Sequence, residues 1–185
     1  MKIKVGVSKK HVHLTEKTFH KLFSEANLEV RNYLKQPGEY ASTSTVDLKL
    51  NDKIISHVRV VGPLRKYNQI ELDRNTASEL GINPPVRQSG DLADSLSITI
   101  AGPNGEEETN GVIVAERHIH MSEEDANKYH LQNHELIKVY KNDKYLFDAH
   151  IKIGNFVNEL HIDTEEEIIY DLHQDSEVEI YVENR

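Results

Sequence analysis

The sequence VGVSKKHVHLTE occupies residues 5–16, and a related sequence, VIVAERHIHMSE, occupies residues 112–123. In both copies an apolar, strand-like segment precedes a basic residue, His-x-His, an apolar residue, and a Ser or Thr followed by Glu. A Ser or Thr before an acidic residue is typical of the start of a helix. Two copies are too few for a solenoid, so the pattern indicates two halves of one duplicated unit.

The later parts of the two halves also align. Residues 57–62 resemble residues 150–154, with His57 over His150. Residues 69–73 (QIELD) lie over residues 159–163 (ELHID), which places Glu71 opposite His161. The segment between the halves, residues 101–105 with the acidic run 106–108, is predicted to be a linker and a solvated loop.

Most apolar segments outside these motifs are short and alternate with polar residues. Examples are residues 46–50, 96–100 and 136–140. Many short β segments separated by Gly, Pro and Asn favour a barrel or a sandwich over a parallel α/β sheet. Short helices are expected over residues 15–22, 74–80 and 122–129. The predicted fold class is therefore mainly β with short helices.

Composition excludes several classes of function. The 185 residues include 22 Lys and Arg against 31 Asp and Glu, a formal net charge of −9. Sequence-independent nucleic-acid binding needs a dominant cationic face, so nucleic acid is not an expected partner. No segment approaches the roughly 18 apolar residues of a membrane span, so no membrane is expected. The chain has no cysteine, so thiolate nucleophiles, disulfides and Cys-type zinc sites are all excluded.

The two His-x-His motifs are the main candidates for metal binding. They supply His11, His13, His118 and His120. Neutral imidazole is a favoured zinc ligand. Because successive side chains of a strand point to opposite faces, the chain is expected to leave the strand at each motif, so that both imidazoles reach one centre. The alternative is that both His pairs are structural and bind the backbone at matching turns.

Each half offers one candidate for a third ligand. His161 and Glu71 both lie between two apolar residues, as a ligand inside a barrel would. Alternation alone predicts equally well that Glu71 faces solvent.

Two further residues are suited to anion binding. Arg65 follows a predicted strand and the Gly62–Pro63 turn, and a guanidinium can bind phosphate with two parallel hydrogen bonds. Ser89 lies in the loop of residues 84–91, which could bring its hydroxyl and backbone N–H groups to an anion. The alternatives are an ordinary surface cation and an ordinary turn.

Together these motifs resemble the phosphate acyltransferases (phosphotransacylases) of the propanediol-utilisation type, PduL, the phosphate propanoyltransferase family. The resemblance covers nearly the whole chain as an ordered set of motifs. The motifs are residues 6–14, 36–41, 60–71, 85–90, 117–121 and 161–164.

The resemblance implies two intertwined β-barrels, in which the first strand joins the barrel built from the C-terminal half. The corresponding division is residues 1–9 and 116–185 for one barrel and 10–115 for the other. It also implies two zinc ions per chain, between the barrels. The implied ligands are His11, His13, Glu71, His118, His120 and His161.

The implied reaction converts acyl-CoA and inorganic phosphate into acyl phosphate and coenzyme A. Arg65 and Ser89 are the expected catalytic residues: the resemblance implies that Arg65 binds phosphate and that Ser89 lies near the site. Direct attack by a phosphate held by zinc and Arg65 is the expected mechanism, since no cysteine can form an acyl-enzyme. The alternatives are a two-metal phosphoester or thioester hydrolase and a non-catalytic, metal-stabilised binding module.

The chain departs from the family pattern after the last motif. The family usually continues His-x-Asp-Thr with DEANA, where this chain has EEEII at residues 165–169. This departure leaves open how the expected loop packs.

The expected location and substrate follow from the start of the sequence. A strand begins at Lys2, which leaves no room for a signal peptide or an amphipathic docking helix. We therefore expect a free cytoplasmic enzyme that is not encapsulated in a microcompartment. Acetyl-CoA is the expected physiological substrate, with propanoyl-CoA also accepted. The sequence leaves a homodimer open.

Overall fold

The computed structural model describes residues 1–24 and 27–182. The chain forms two compact units. Lys9–Glu116 is called here the N-terminal unit, and Met1–Ser8 with Arg117–Arg185 is called the C-terminal unit.

Strands of both units carry most of the regular structure. The strands of the N-terminal unit are β2 (His11–His13), β3 (Val30–Tyr33), β4 (Tyr40–Leu50), β5 (Lys53–Gly62), β6 (Gln69–Leu72), β7 (Val86–Arg87), β8 (Leu96–Gly102) and β9 (Gly105–Ala115). Those of the C-terminal unit are β1 (Lys2–Ser8), β10 (His118–Ser122), β11 (Leu136–Lys141), β12 (Lys144–Gly154), β13 (Glu159–Asp163) and β14 (Glu177–Ile180). The helices are α1 (Glu16–Phe23), α2 (Arg74–Leu80), α3 (Glu123–Lys128) and α4 (Thr164–Ile169).

The C-terminal unit is a closed six-stranded barrel. The strand order is β1-β13-β10-β12-β11-β14, and β14 pairs with β1 to close it. The first strand of the chain is thus built into the barrel of the C-terminal half, parallel to β13. Its core includes Val5, Ile119, Ile151 and Leu160, all almost fully buried.

The N-terminal unit closes in the same way. Six strands form a ring in the order β4-β5-β2-β6-β9-β8, because β8 pairs with both β4 and β9. The short strands β3 and β7 add to this ring, on β4 and β9. Val12, Leu48, Val60 and Ile70 lie in its core. The predicted mainly-β fold of two barrels from an internal duplication is confirmed.

Each helix follows a strand and begins at a capping side chain, which accepts a hydrogen bond from a backbone N–H of the first turn. The capping residue, with the residue that donates to it in parentheses, is different for each helix: Thr15 (Thr18) for α1, Asp73 (Thr76) for α2, Ser122 (Asp125) for α3 and Asp163 (Glu166) for α4. The helices α1, α2 and α3 occupy the segments predicted to be helical. In the part of the chain that the structure describes, no helix is long and apolar enough to span a membrane.

Two sequence-based expectations were wrong. The predicted linker is the hairpin of β8 and β9, and Glu106–Glu108 lie on β9 rather than in a loop. Side chains of Glu106 and Glu107 form ion pairs with Lys49 and Lys21, which explains why an acidic run is tolerated on a strand. The segment after His161, expected to be a loop, is the helix α4.

Candidate metal-binding sites

The two His-x-His motifs lie on strands, β2 and β10. The expectation that the chain leaves the strand at these motifs is wrong. Residues two apart on a strand share a face, so His11 and His13 point to the same side without any break, as do His118 and His120. Their ring centroids lie 5.0 Å and 4.7 Å apart, respectively.

In each unit an antiparallel strand lies beside the His-x-His strand, and the pairing register is the same in both units. In the N-terminal unit, His11 lies opposite Glu71 and His13 opposite Gln69. These four residues are called here the N-terminal square.

In the C-terminal unit, His118 lies opposite His161 and His120 opposite Glu159, which we call the C-terminal square. The register therefore gives Glu71 and His161 equivalent places, and likewise Gln69 and Glu159.

Three members of each square offer ligand atoms within 4.8 Å of one another. They are His11, His13 and Glu71 in one unit, and His118, His120 and His161 in the other. Each group therefore lies wholly within one unit. All six ligand candidates named from the sequence belong to these groups, whereas Arg65 and Ser89 are ligands of neither.

In the N-terminal square the two imidazoles are oriented by backbone carbonyls. The Nδ1 atom of His11 lies 2.8 Å from the carbonyl oxygen of Lys9, and that of His13 lies 3.1 Å from the carbonyl oxygen of Val61. The Nε2 atoms lie 3.5 Å and 4.0 Å from oxygens of the Glu71 carboxylate. Both Nε2 atoms therefore face the one carboxylate with which they would share a cation.

The C-terminal square has a different arrangement. The Nε2 atoms of His118 and His120 lie 3.3 Å apart. This distance matches the separation of about 3.3 Å between two ligand atoms of a tetrahedral zinc ion with bonds of about 2.05 Å. The ring of Phe156 stacks on His120 at 4.2 Å. The buried Nδ1 of His120 has no hydrogen-bond partner among the residues that the structure describes.

Burial keeps one histidine of each square neutral. Burial, followed by the nearby His11 and Arg65, lowers the pKa of His13 to about 3. Burial, followed by His161 and His118, lowers the pKa of His120 to about 2. A neutral imidazole is the form that binds a metal. The donor sets, three imidazoles in one unit and two imidazoles with a carboxylate in the other, both suit zinc.

Arg65 and Ser89 lie beside the N-terminal square. Arg65 Nη1 donates to Ser89 Oγ at 3.3 Å, and Gln69 Nε2 donates to the same oxygen at 2.9 Å. Gln69 Nε2 also lies 2.5 Å from Glu71 Oε1. A chain of polar contacts thus joins Arg65 to the metal-binding candidate Glu71.

The Arg65 guanidinium also binds a carboxylate. Its Nη2 lies 3.1 Å from Glu39 Oε1, and both side chains are partly exposed. An open cavity of about 540 Å³ adjoins it, lined by Glu16, Leu64, Arg65, Lys66 and Tyr67. A half-buried cation at the wall of an open cavity is accessible to an anionic ligand.

The register corrects one sequence alignment. His150 lies opposite His118 on β12, whereas the residue opposite His11 on β5 is Arg59, not His57. The predicted equivalence of His57 and His150 is therefore wrong by two positions.

Sequence reasoning also missed several polar residues of these sites. They are Glu39, Gln69 and Glu159. The signal for Gln69 and Glu159 was present, since each lies two positions before a ligand candidate and hence on the same face of its strand.

Comparisons with known proteins indicate the family of the chain. Residues 4–173 match the protein family described as phosphate propanoyltransferase. The chain is 39% identical to a phosphate propanoyltransferase of Levilactobacillus brevis over 170 residues, which cover 89% of the chain and 82% of that protein. It is 42% identical to the one of Limosilactobacillus reuteri, over 89% of the chain and 79% of that protein. With the Thermotoga maritima protein of the same name the identity is 43%, over 88% of the chain and 80% of the relative.

Proposed function

The chain belongs to the phosphate propanoyltransferase family and is a phosphate acyltransferase, and from this premise we propose how its residues catalyse the transfer. The substrates are a short-chain acyl-CoA and inorganic phosphate, and the products are an acyl phosphate and coenzyme A. The observation that carries the proposal is the contact chain from Arg65 through Ser89 and Gln69 to Glu71. It links an anion-binding group to a metal-binding group within one unit.

Arg65 binds the phosphate. Its guanidinium is directed by the Ser89 hydroxyl on one side and by the Glu39 carboxylate on the other. Phosphate is a better partner than one carboxylate because it carries more charge and offers more acceptor oxygens. We infer that phosphate replaces Glu39 on Arg65 when it binds, while the Ser89 contact keeps the guanidinium oriented.

Two groups of residues would each hold a zinc ion. They are His11, His13 and Glu71 in one unit, and His118, His120 and His161 in the other. Zinc bound there supplies Lewis-acid stabilisation of negative charge on substrate oxygens. The chain's own contribution is to hold neutral imidazoles and one carboxylate ready, which the low pKa values of His13 and His120 favour.

The transfer needs no covalent enzyme intermediate. A phosphate oxygen attacks the thioester carbonyl carbon, a carbon–oxygen bond forms, and the carbon–sulfur bond breaks. The electron pair of that bond leaves with the sulfur as the coenzyme A thiolate, which departs without a strong acid. Positioning of the phosphate by Arg65 turns an encounter of two substrates into a step within one complex.

The acyl group is short. The L. brevis and T. maritima relatives are named for propanoyl transfer. Acetyl-CoA differs from propanoyl-CoA by one methylene, which changes binding by only about 1–3 kcal/mol. We therefore propose that both acetyl-CoA and propanoyl-CoA are substrates.

An assay of coenzyme A release tests the activity. Purified protein is given acetyl-, propanoyl- or butanoyl-CoA with and without phosphate, and free thiol and acyl phosphate are both measured. We expect release to require phosphate and to match acyl phosphate formation one to one. Release without phosphate would instead identify a thioester hydrolase.

Metal analysis tests the two groups. We expect about two zinc ions per chain in protein purified without chelators. His11→Ala and His118→Ala should each lose about one zinc ion and most of the activity. His130→Asn is the control, because His130 is exposed and has a φ of 54°, a conformation that Asn tolerates. Trace metal in the wild-type protein would refute the metal assignment.

A further inference from the structure

The cavity beside Arg65 has two kinds of wall. Its charged lining residues are Glu16, Arg65 and Lys66, and its apolar lining consists of the Leu64 side chain and the Tyr67 ring. The volume of about 540 Å³ is typical of pockets that bind small ligands. The proposed function assigns Arg65 to phosphate and leaves the apolar wall without a role.

The segment that carries this apolar wall, residues 64–67, is held at both ends. The backbone N–H of Arg65 donates to the carbonyl oxygen of Leu14 at 2.8 Å. Directly after the segment, Asn68 Oδ1 accepts the backbone N–H of Thr15, also at 2.8 Å. The wall is therefore fixed to the end of β2 and the start of α1, and it cannot readily move away from a ligand.

The Tyr67 side chain reaches the loop that carries Ser89. A Cβ atom on Gly90 would stand 3.2 Å from the Tyr67 hydroxyl oxygen, and Gly90 has a φ of 99°, which favours glycine. A residue without a side chain at this position leaves room for the tyrosine hydroxyl against the loop. The Tyr67 ring thus spans from the segment of Arg65 to the loop of Ser89, whose hydroxyl contacts the Arg65 guanidinium.

The reaction requires the acyl group to lie beside the phosphate. The attacking phosphate oxygen and the carbonyl carbon must approach to about 3–3.5 Å before the bond forms. The first carbon of the acyl chain is bonded to that carbonyl carbon. A phosphate on Arg65 therefore places the start of the acyl chain in the same cavity.

The apolar wall is the part of the cavity that favours an acyl chain. Contact with Leu64 and the Tyr67 ring removes methyl and methylene groups from water, which is favourable. Covering Glu16 or Lys66 with an apolar chain would instead remove water from a charge, which is unfavourable. The polar coenzyme A portion can extend through the open side of the cavity.

We propose that Leu64 and Tyr67 form the subsite for the acyl chain, and that the Tyr67 ring limits the length of the chain that fits. Leu64 is the inner contact, since it is partly buried and packs against the core of the N-terminal unit. Tyr67, which is 37% exposed, is the outer contact. A chain of two or three carbons lies along Leu64, and a longer chain meets the ring. This proposal rests on the proposed binding of phosphate by Arg65.

The test compares acyl-CoAs of different length in the full-length protein. The kcat/KM is measured at saturating phosphate for acetyl-, propanoyl-, butanoyl- and hexanoyl-CoA, and the KM for phosphate is measured with acetyl-CoA. Tyr67→Ala removes the outer wall, and Tyr67→Phe keeps the ring without the hydroxyl. Tyr145→Ala is the matched control, because it removes a similarly exposed tyrosine on β12 of the other unit, outside the cavity.

We expect Tyr67→Ala to raise the kcat/KM for butanoyl-CoA relative to acetyl-CoA by about tenfold or more, with a rise for hexanoyl-CoA as well. Its KM for phosphate should stay within about twofold of the wild-type value, because Arg65 and Ser89 are retained. Tyr67→Phe and Tyr145→Ala should keep the wild-type ratio. A merely structural role of Tyr67 would lower activity with all acyl-CoAs alike and leave the ratio unchanged.

An unchanged ratio in folded, active Tyr67→Ala protein would overturn the acyl subsite while leaving the phosphate acyltransferase activity intact. A raised KM for phosphate with an unchanged ratio would also overturn it, and would assign Tyr67 to phosphate binding instead. Wild-type protein without phosphate-dependent release of coenzyme A would overturn this proposal and the proposed function together.

A second variant tests the same wall in the opposite direction. Tyr67→Trp enlarges the ring, and we expect it to lose activity with butanoyl-CoA relative to acetyl-CoA. This variant decides the question if Tyr67→Ala does not fold, as checked by circular dichroism. A butanoyl-to-acetyl ratio at or above the wild-type value in folded Tyr67→Trp protein would then overturn the proposal.

Discussion

Arg65 is held by Glu39 and Ser89 at the wall of an open cavity, so its proposed role in phosphate binding can be tested directly. A charge-assisted hydrogen bond contributes about 1.5–3 kcal/mol. Arg65→Ala should therefore raise the KM for phosphate or lower kcat by about tenfold or more. Arg65→Lys should restore activity only in part, because an ammonium lacks the planar pair of donors.

The matched control for this variant is Arg31→Ala, an exposed arginine on β3 of the same unit. It should leave the phosphate KM unchanged. Phosphate kinetics of Arg65→Ala close to those of the wild-type protein would remove Arg65 from the phosphate site.

The buried histidines make the metal-free protein sensitive to acid. In the folded chain the pKa is about 3 for His13 and about 2 for His120, against about 6.5 in the unfolded chain. The unfolded state therefore binds more protons below about pH 6.5, and stability falls as the pH falls. Each histidine contributes up to about 1.4 kcal/mol per pH unit between about pH 6 and its folded pKa.

Urea unfolding of metal-free protein at pH 7 and pH 5 tests this expectation. The free energy of unfolding should be lower at pH 5, and His120→Asn should reduce the difference between the two values. The same difference in the variant and the wild-type protein would mean that His120 does not cause the acid sensitivity.

At the level of single residues, the sequence identified the histidines because they recur in matching contexts. Gln69 and Glu159 escaped notice because polar residues two positions before a ligand look like ordinary strand residues. Their importance depends on the opposite strand, which places them across from His13 and His120. Gln69 lies 56 positions after His13, and Glu159 lies 39 positions after His120. The register between strands so far apart in the chain cannot be deduced from one sequence.

At the level of elements, α4 is the feature that the sequence concealed. Residues 164–169 read TEEEII, and the Ile pair lacks the spacing of an amphipathic helix. The helix forms because Asp163 and Glu166 cap it reciprocally. Glu166 is buried and lies 2.9 Å from Nε of Arg117, whose guanidinium packs over the Phe147 ring at 4.6 Å. An ion pair with the residue next to His118 therefore fixes this helix against the barrel.

This arrangement predicts that the capping residue of α4, Asp163, contributes more to the free energy of unfolding than an ordinary capping residue does. Removing a capping side chain costs about 1 kcal/mol, which is the expected effect of Ser122→Ala at the start of α3. Asp163→Ala should cost more, since it also loosens the buried Glu166 and its ion pair with Arg117.

Urea unfolding of the metal-free variants gives both values. Glu124→Ala, an exposed residue of α3, should change the free energy of unfolding by no more than about 0.5 kcal/mol. Equal losses for Asp163→Ala and Ser122→Ala would show that the capping box adds nothing beyond a single cap.

At the level of the whole molecule, the duplication was readable because strand periodicity and the His-x-His motif recur together. The closure of each half into a six-stranded ring could not be predicted from the sequence, because it depends on strand pairs such as β4 with β8 and β1 with β14. The linker prediction was wrong for the same reason. Acidic residues at 106–108 resemble a solvated loop until β8 is known to lie beside them.

The acyl preference is a property of the whole enzyme and can be predicted in magnitude. One methylene is worth about 1–3 kcal/mol in an apolar pocket, or roughly 10- to 200-fold in kcat/KM. We expect acetyl-CoA and propanoyl-CoA to be used with kcat/KM values within about a hundredfold of each other. The coupled assay with saturating phosphate measures both, and Arg31→Ala should give the same ratio as the wild-type protein. A preference for propanoyl-CoA well above a hundredfold would exceed what one methylene supplies and would require a pocket shaped against the smaller acetyl group, which would make propanoyl-CoA the physiological substrate.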